Sequence, residues 1–120
     1  MTTSEERALR SYVESFNRHD IEGLMACFAE APVILDMLGK RHDGRAQVRR
    51  FFEEQFAMFP DARCDIKVVT GRAATGMAET DFHWTHAKTG KVVTASGAEV
   101  AEFAGDKIKE LRDYHRVTSA

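Results

Sequence analysis

The hydrophobic period of this chain changes once, near its middle, and that switch limits what it can build. Up to Pro60 the apolar residues mostly recur three and four apart; beyond it they alternate. Leu9, Tyr12, Val13 and Phe16 form a helical stripe behind a Thr3/Ser4 cap with acids in the first turn. Asp20 restarts the pattern as an N-cap. Ile21, Leu24, Met25 and Phe28 make a second stripe, which Pro32 is expected to end. Val33 to Leu38 reads as a short strand broken by Gly39. Asp43 is the expected cap of a third helix, with Val48, Phe51, Phe52, Phe56 and Phe59 on its apolar side and Pro60-Asp61 as its stop.

In the second half, Cys64 to Thr70 and Met77 to Ala87 read as strands. Thr89-Gly90 is a hairpin turn into Lys91 to Phe103, and Ala104-Gly105-Asp106 a second into Lys107 to Val117. Helices segregated from a meander of strands predict an α+β fold. A long antiparallel sheet, curved around helices on its concave face, would form a cone with an open mouth. Glycines at Gly71, Gly76 and Gly97 suit such bending. With 120 residues and neither repeats nor a linker, residues 1–120 are expected to make a single domain with one core.

Composition excludes several functions. The formal charge of −2 comes without any cluster of Lys and Arg among aromatics, so no nucleic-acid partner is expected. No apolar run approaches the roughly 18 residues that span a bilayer, and the N-terminus lacks a basic-then-apolar leader. Cys27 and Cys64 match no metal spacing and read as small buried hydrophobes, so a reduced, cytoplasmic location is expected. Gly-rich phosphate loops and nucleophile elbows are absent, and no cofactor is expected. Nor is a metal. His83 and His86 point to opposite faces of a strand, and only Asp81 and His83, helped by Asp113 or His115, could approach a ligand set.

Three ionisable residues fall on apolar stripes and should converge on that core: Tyr12, Asp36 and Glu99. Asp36 shares a strand face with Ile34 and Leu38, where a carboxyl should be pushed toward the range useful for a general base or acid. The opposite face, Val33, Leu35 and Met37, is an equally consistent buried set and would leave Asp36 solvated. Tyr12 points inward either to serve a ligand or to satisfy a backbone group. Glu99 is in phase with Val93, Ala95, Gly97, Ala101 and Phe103, whose small members leave room for a ligand; the alternative is an ion pair with an arginine such as Arg112. Thr80, Phe82, Trp84 and His86 make the more aromatic face of their strand and are expected to line the pocket with Phe16, Phe52 and Phe56. Asp113 and His115 could reach it from the last strand, unless a bulge swaps the faces of Asp113 and Arg112.

The order of several pieces resembles the NTF2-like superfamily, and within it the SnoaL-like polyketide cyclases and ketosteroid isomerases. They are Tyr12 to Phe16, Asn17-Arg18-His19-Asp20-Ile21-Glu22-Gly23-Leu24, Phe28-Ala29-Glu30, Gly44-Arg45, Phe59-Pro60-Asp61, Thr89-Gly90-Lys91, and Lys107-Ile108 through Arg112-Asp113-Tyr114. The resemblance implies a conical α+β barrel that is usually a homodimer. It implies a cofactor-free isomerase- or cyclase-like enzyme acting on a small, largely apolar carbonyl compound, with Asp36 as base and Tyr12 and protonated Glu99 holding the oxyanion. The alternative within the same fold is a non-catalytic ligand-binding or dimerisation domain. This chain departs from the isomerases in having Glu at 99 rather than Asp, and Phe52 in place of a supporting tyrosine. The Arg-x-Asp motif of the related limonene epoxide hydrolases is replaced by Asp81-x-His83.

Overall fold

A computed structural model describes residues 2–119. Three helices precede and interrupt a single six-stranded sheet. In chain order the elements are α1 (Ser4–Asn17), α2 (Ile21–Ala26), β1 (Phe28–Leu35), β2 (Arg41–Asp43), α3 (Arg45–Met58), β3 (Arg63–Arg72), β4 (Thr75–Thr85), β5 (Val92–Ala104) and β6 (Lys107–Val117). The sheet order is β2-β1-β6-β5-β4-β3, antiparallel throughout except for the parallel pair β1–β6. The α+β expectation holds.

Local chemistry sets the helix ends. The Thr3 side chain accepts from the Glu6 amide, and Asp20 accepts from the Gly23 amide. Leu9, Tyr12, Val13 and Phe16 face the core as their spacing requires. Asn17 then clamps α1 to β3: its Nδ2 donates to the Cys64 carbonyl at 2.8 Å, and its Oδ1 accepts from the Cys64 amide at 2.7 Å. On β5, Gly97 lies close against β6. A Cβ there would sit 2.1 Å from the Tyr114 carbonyl oxygen, an approach only glycine permits.

The first half departs from expectation at four places. α2 ends at Ala26 rather than at Pro32, and Phe28 already belongs to β1. Pro32 is tolerated inside β1 because the β1–β6 register shifts between Phe28 and Val33, where no ladder donor is required of it. β1 stops at Leu35, so Asp36 is a turn residue and not a strand residue. The strand β2 follows that turn, and α3 is capped at Gly44 by backbone geometry, not by Asp43. Asp43 instead pairs with Arg41 at 3.0 Å, and its amide donates to Gln47 Oε1. In the second half the four strands lie close to where alternation puts them, except that β4 ends at Thr85, short of the expected Ala87. Also unforeseen is the β3–β4 turn, where Ala73 and Ala74 both take positive φ without glycine. The Glu5 carboxylate on α1 accepts from the Ala74 amide and secures that turn.

Candidate functional site

Between the inner sheet face and helices α1 and α3 lies a cavity of about 400 Å³. α1 brings Tyr12 and Phe16 to it; β4 brings Phe82 and Trp84; α3 brings Phe51 and Phe52. β5 and β6 contribute Glu99 and Asp113, which are direct partners across the strand pair. Asp36, Met37 and Leu38 enter from the β1–β2 turn. Leu38 is 88% exposed, and Met58 and Val117 are also exposed, so the mouth has an apolar rim.

Glu99 is 3% exposed. Its Oε2 accepts from the Tyr12 hydroxyl at 3.3 Å, and its Oε1 is buried without a partner. Burial pushes Glu99 well above the usual carboxylate range, the Asp113 charge adds to that, and the Tyr12 hydrogen bond opposes it. Burial likewise raises Tyr12, with the Glu99 charge helping. The arginine that could have neutralised Glu99 is elsewhere: Arg112 bonds Glu102 and Glu110. Alternation along β5 therefore placed Glu99 on the correct face, with its phenolic partner.

Asp36 also lines the cavity, but in another condition. Its Oδ1 accepts from the amides of Leu38 and Lys40, both at 2.9 Å, and its Oδ2 accepts from His42 Nε2 at 2.9 Å. Burial alone would raise it, yet these hydrogen bonds and the His42 charge outweigh burial, and the carboxyl sits below its ordinary value. The expected upward shift is thus overturned. A carboxylate that accepts three hydrogen bonds is stabilised as the anion. His42 was not foreseen. It stands opposite Ile34 in the β1–β2 pairing, with its ring 4.5 Å from Phe51. The available signal was an acid and a histidine flanking a Leu38-Gly39 turn.

Of the aromatic lining, Phe16, Phe52, Phe82 and Trp84 are where they were expected. Phe56 is not on the wall. It packs behind Phe16, at 5.3 Å between centroids, and stacks on His19 at 4.1 Å. His86 is off the wall as well. β4 ends at Thr85, and the exposed His86 ring uses Nδ1 to accept from the Lys88 and Thr89 amides, shaping the loop. Asp113 does reach the cavity. Its Oδ1 accepts from the His115 amide at 3.0 Å and lies 2.6 Å from His115 Nδ1. His115 lies one layer behind, its Nε2 against Thr80 Oγ1 at 2.6 Å. Asp81 pairs with Lys67 and His83 with Asp65, although His83 also borders the cavity. Among the described residues no three His, Cys, Asp or Glu side chains are grouped to hold a metal. The Cys64 thiol is raised far above its usual range, chiefly by burial, which disfavours the reactive thiolate. No described helix is long and apolar enough to cross a membrane.

No curated protein matches the chain in sequence. Solved structures match its fold. A protein of ketosteroid isomerase-like fold from Catenulispora acidiphila, in complex with trimethylamine, superposes with a TM-score of 0.83 at 16% identity, over 89% of this chain and 83% of that one. A Mycobacterium tuberculosis protein in complex with estradiol-17β-hemisuccinate gives 0.82 at 18% identity, over 94% of each chain. An NTF2-like protein of unknown function from Cytophaga hutchinsonii gives 0.76 at 20% identity, over 93% and 99%. At these identities the likeness is one of fold. The SnoaL-like domain profile matches residues 9–111, nearly the whole chain, and the protein belongs to the SnoaL-like family within the NTF2-like fold.

Proposed function

We propose that the cavity is a cofactor-free acid/base site for a small, largely apolar carbonyl compound. The observation that carries this reading is Glu99: a buried, raised carboxyl, held on one oxygen by Tyr12 and bare on the other, at the wall of an aromatic cavity. A protonated Glu99 presents an O–H donor from Oε1 where a carbonyl oxygen can meet it, and the Tyr12 hydroxyl stands beside it. Asp36, ionised on the same wall, takes the proton α to the carbonyl. The electron pair moves onto oxygen, and the enolate is stabilised by the Glu99 O–H and by the Tyr12 hydroxyl once it turns from Glu99 Oε2 to the substrate. Return of the proton from Asp36 to another carbon completes an isomerisation; attack of the enolate carbon on a second carbonyl of the same molecule, whose oxygen then takes the proton from Asp36, completes a cyclisation. The relatives in complex with trimethylamine and with a steroid ester support a fold able to enclose small organic molecules. A homodimer belongs to the same proposal and is tested by light scattering.

The test needs no knowledge of the natural substrate. The protein is incubated with apolar cyclic ketones such as 2-tetralone in D2O, and deuterium entry at the α carbon is followed by mass spectrometry. Wild type should accelerate exchange above buffer, and Asp36→Asn should remove the acceleration. Ketones that bind without exchange would sink the catalytic reading.

A second reading has one observation in its favour. Both Asp36 oxygens are already engaged within its own turn and by His42, as expected of a carboxylate that holds a loop in shape. On that reading the cavity binds a small molecule and does no chemistry. The same experiment separates the two.

A further inference from the structure

The cavity wall carries three carboxyl groups, Asp36, Glu99 and Asp113, and neither lysine nor arginine. Three arginines of α3 and β6 are committed elsewhere. Arg45 donates to the carbonyls of Met25, Phe28 and Ala29, Arg49 bonds Glu22, and Arg112 bonds Glu102 and Glu110. Three imidazoles lie on or beside the wall, and each is turned to an acid: His83 to Asp65, His42 to Asp36 and His115 to Asp113. No cationic group is left to meet a ligand anion. On this wall two acid oxygens have no described partner. Glu99 Oε1 is buried without a partner, and Asp113 uses only Oδ1 for His115, so no described donor reaches its Oδ2.

From this arrangement we infer that the cavity excludes anions and takes an apolar compound whose polar groups are uncharged or carry a protonated amine. The inference rests on the acid/base reading of this same cavity and narrows its substrate class. A carbonyl meets Glu99 Oε1 and Tyr12; a hydroxyl or ammonium donor meets Asp113 Oδ2. A carboxylate, phosphate or sulfate in the same place would lose its hydration shell and gain only like charge. The aromatic wall adds to the bias, because ring faces attract cations and repel anions. Compounds that reach this enzyme bound to a carboxylate or a phosphate ester would have to keep that group outside the mouth.

The experiment compares three compounds on one apolar body: 1-adamantyl methyl ketone, 1-adamantylamine and 1-adamantanecarboxylate. Adamantane is transparent, and Trp84, the sole tryptophan, lies on the cavity wall, so its emission reports binding. At pH 7 the ketone and the amine should bind, and the carboxylate should bind at least about tenfold more weakly than the ketone. In the Asp36→Asn/Asp113→Asn double variant that gap should shrink. A carboxylate that binds wild type as tightly as the ketone overturns the inference while leaving the acid/base reading in place. Failure of all three to bind overturns both.

Discussion

The strand wall of the cavity and the turn at its rim treat a carboxyl group in opposite ways. On the wall, Glu99 has lost its water, has a second acid directly across the strand pair and keeps one hydrogen bond, so its neutral form is favoured. At the rim, Asp36 is given two backbone amides and an imidazole, so its anion is favoured even though burial works against it. Within one cavity the two carboxyl groups are thus pushed in opposite directions. The lesson is that burial alone does not decide a carboxyl group's role; the supply of donors does.

The largest expected effect comes from removing the anion. Asp36→Asn should lower α-proton exchange by about 100-fold or more while the far-ultraviolet circular dichroism stays native, because a positioned general base contributes on the order of 10²–10⁴. Exchange at the wild-type rate would mean that the rim carboxylate is only a turn former. Next is the donor side. Tyr12→Phe leaves Glu99 Oε2 without its hydroxyl, and exchange or ketone affinity should fall about tenfold, as expected for one hydrogen bond worth roughly 1–1.5 kcal/mol. An unchanged rate and affinity would remove Tyr12 from the site.

Stability against pH sharpens the contrast, since the two acids should have opposite signs. Glu99 is raised in the folded state, so wild type loses stability as pH climbs above the ordinary carboxyl range toward the folded value. Glu99→Gln has no proton to lose, and its melting temperature relative to wild type should rise steadily with pH. Asp36 is lowered, so its contribution is present above the ordinary aspartate range and is lost as pH falls through the folded value. Asp36→Asn should therefore be less stable than wild type at pH 7, and the gap should close in acid. Two gaps that change in the same direction with pH would break the comparison. The smallest effect belongs to His42. His42→Leu should cost roughly 1 kcal/mol by chemical denaturation and move the Asp36 titration upward, while His42→Gln, which can still donate, should restore part of both.

Much of this was legible in the chain, and the reasons differ by region. β5 is long, half buried and strictly alternating, so Glu99 could occupy only one face in phase with Ala95, Ala101 and Phe103. Tyr12 followed from a helix with a clear stripe and cap. Asp36 could not be placed by alternation, because the strand ends one residue before it and the side chain is aimed by a turn. β2 has three residues, too few to show a period, and with it His42 escaped notice. The expectation that His86 lines the pocket rests on a strand running to Ala87, two residues past the end of β4 at Thr85. Phe56 shares the apolar side of α3 with Phe52, but that side is wider than the cavity and Phe56 fills the part facing Phe16 and His19.

The most direct test is a carboxyl-carbon NMR titration of wild type, with Asp36→Asn and Glu99→Gln to assign the two resonances. The account predicts that Glu99 is still protonated at neutral pH and that Asp36 gives up its proton below the ordinary aspartate range. Glu99 found ionised at pH 6 would contradict it, because the cavity would then hold three charged acids and no donor for an oxyanion.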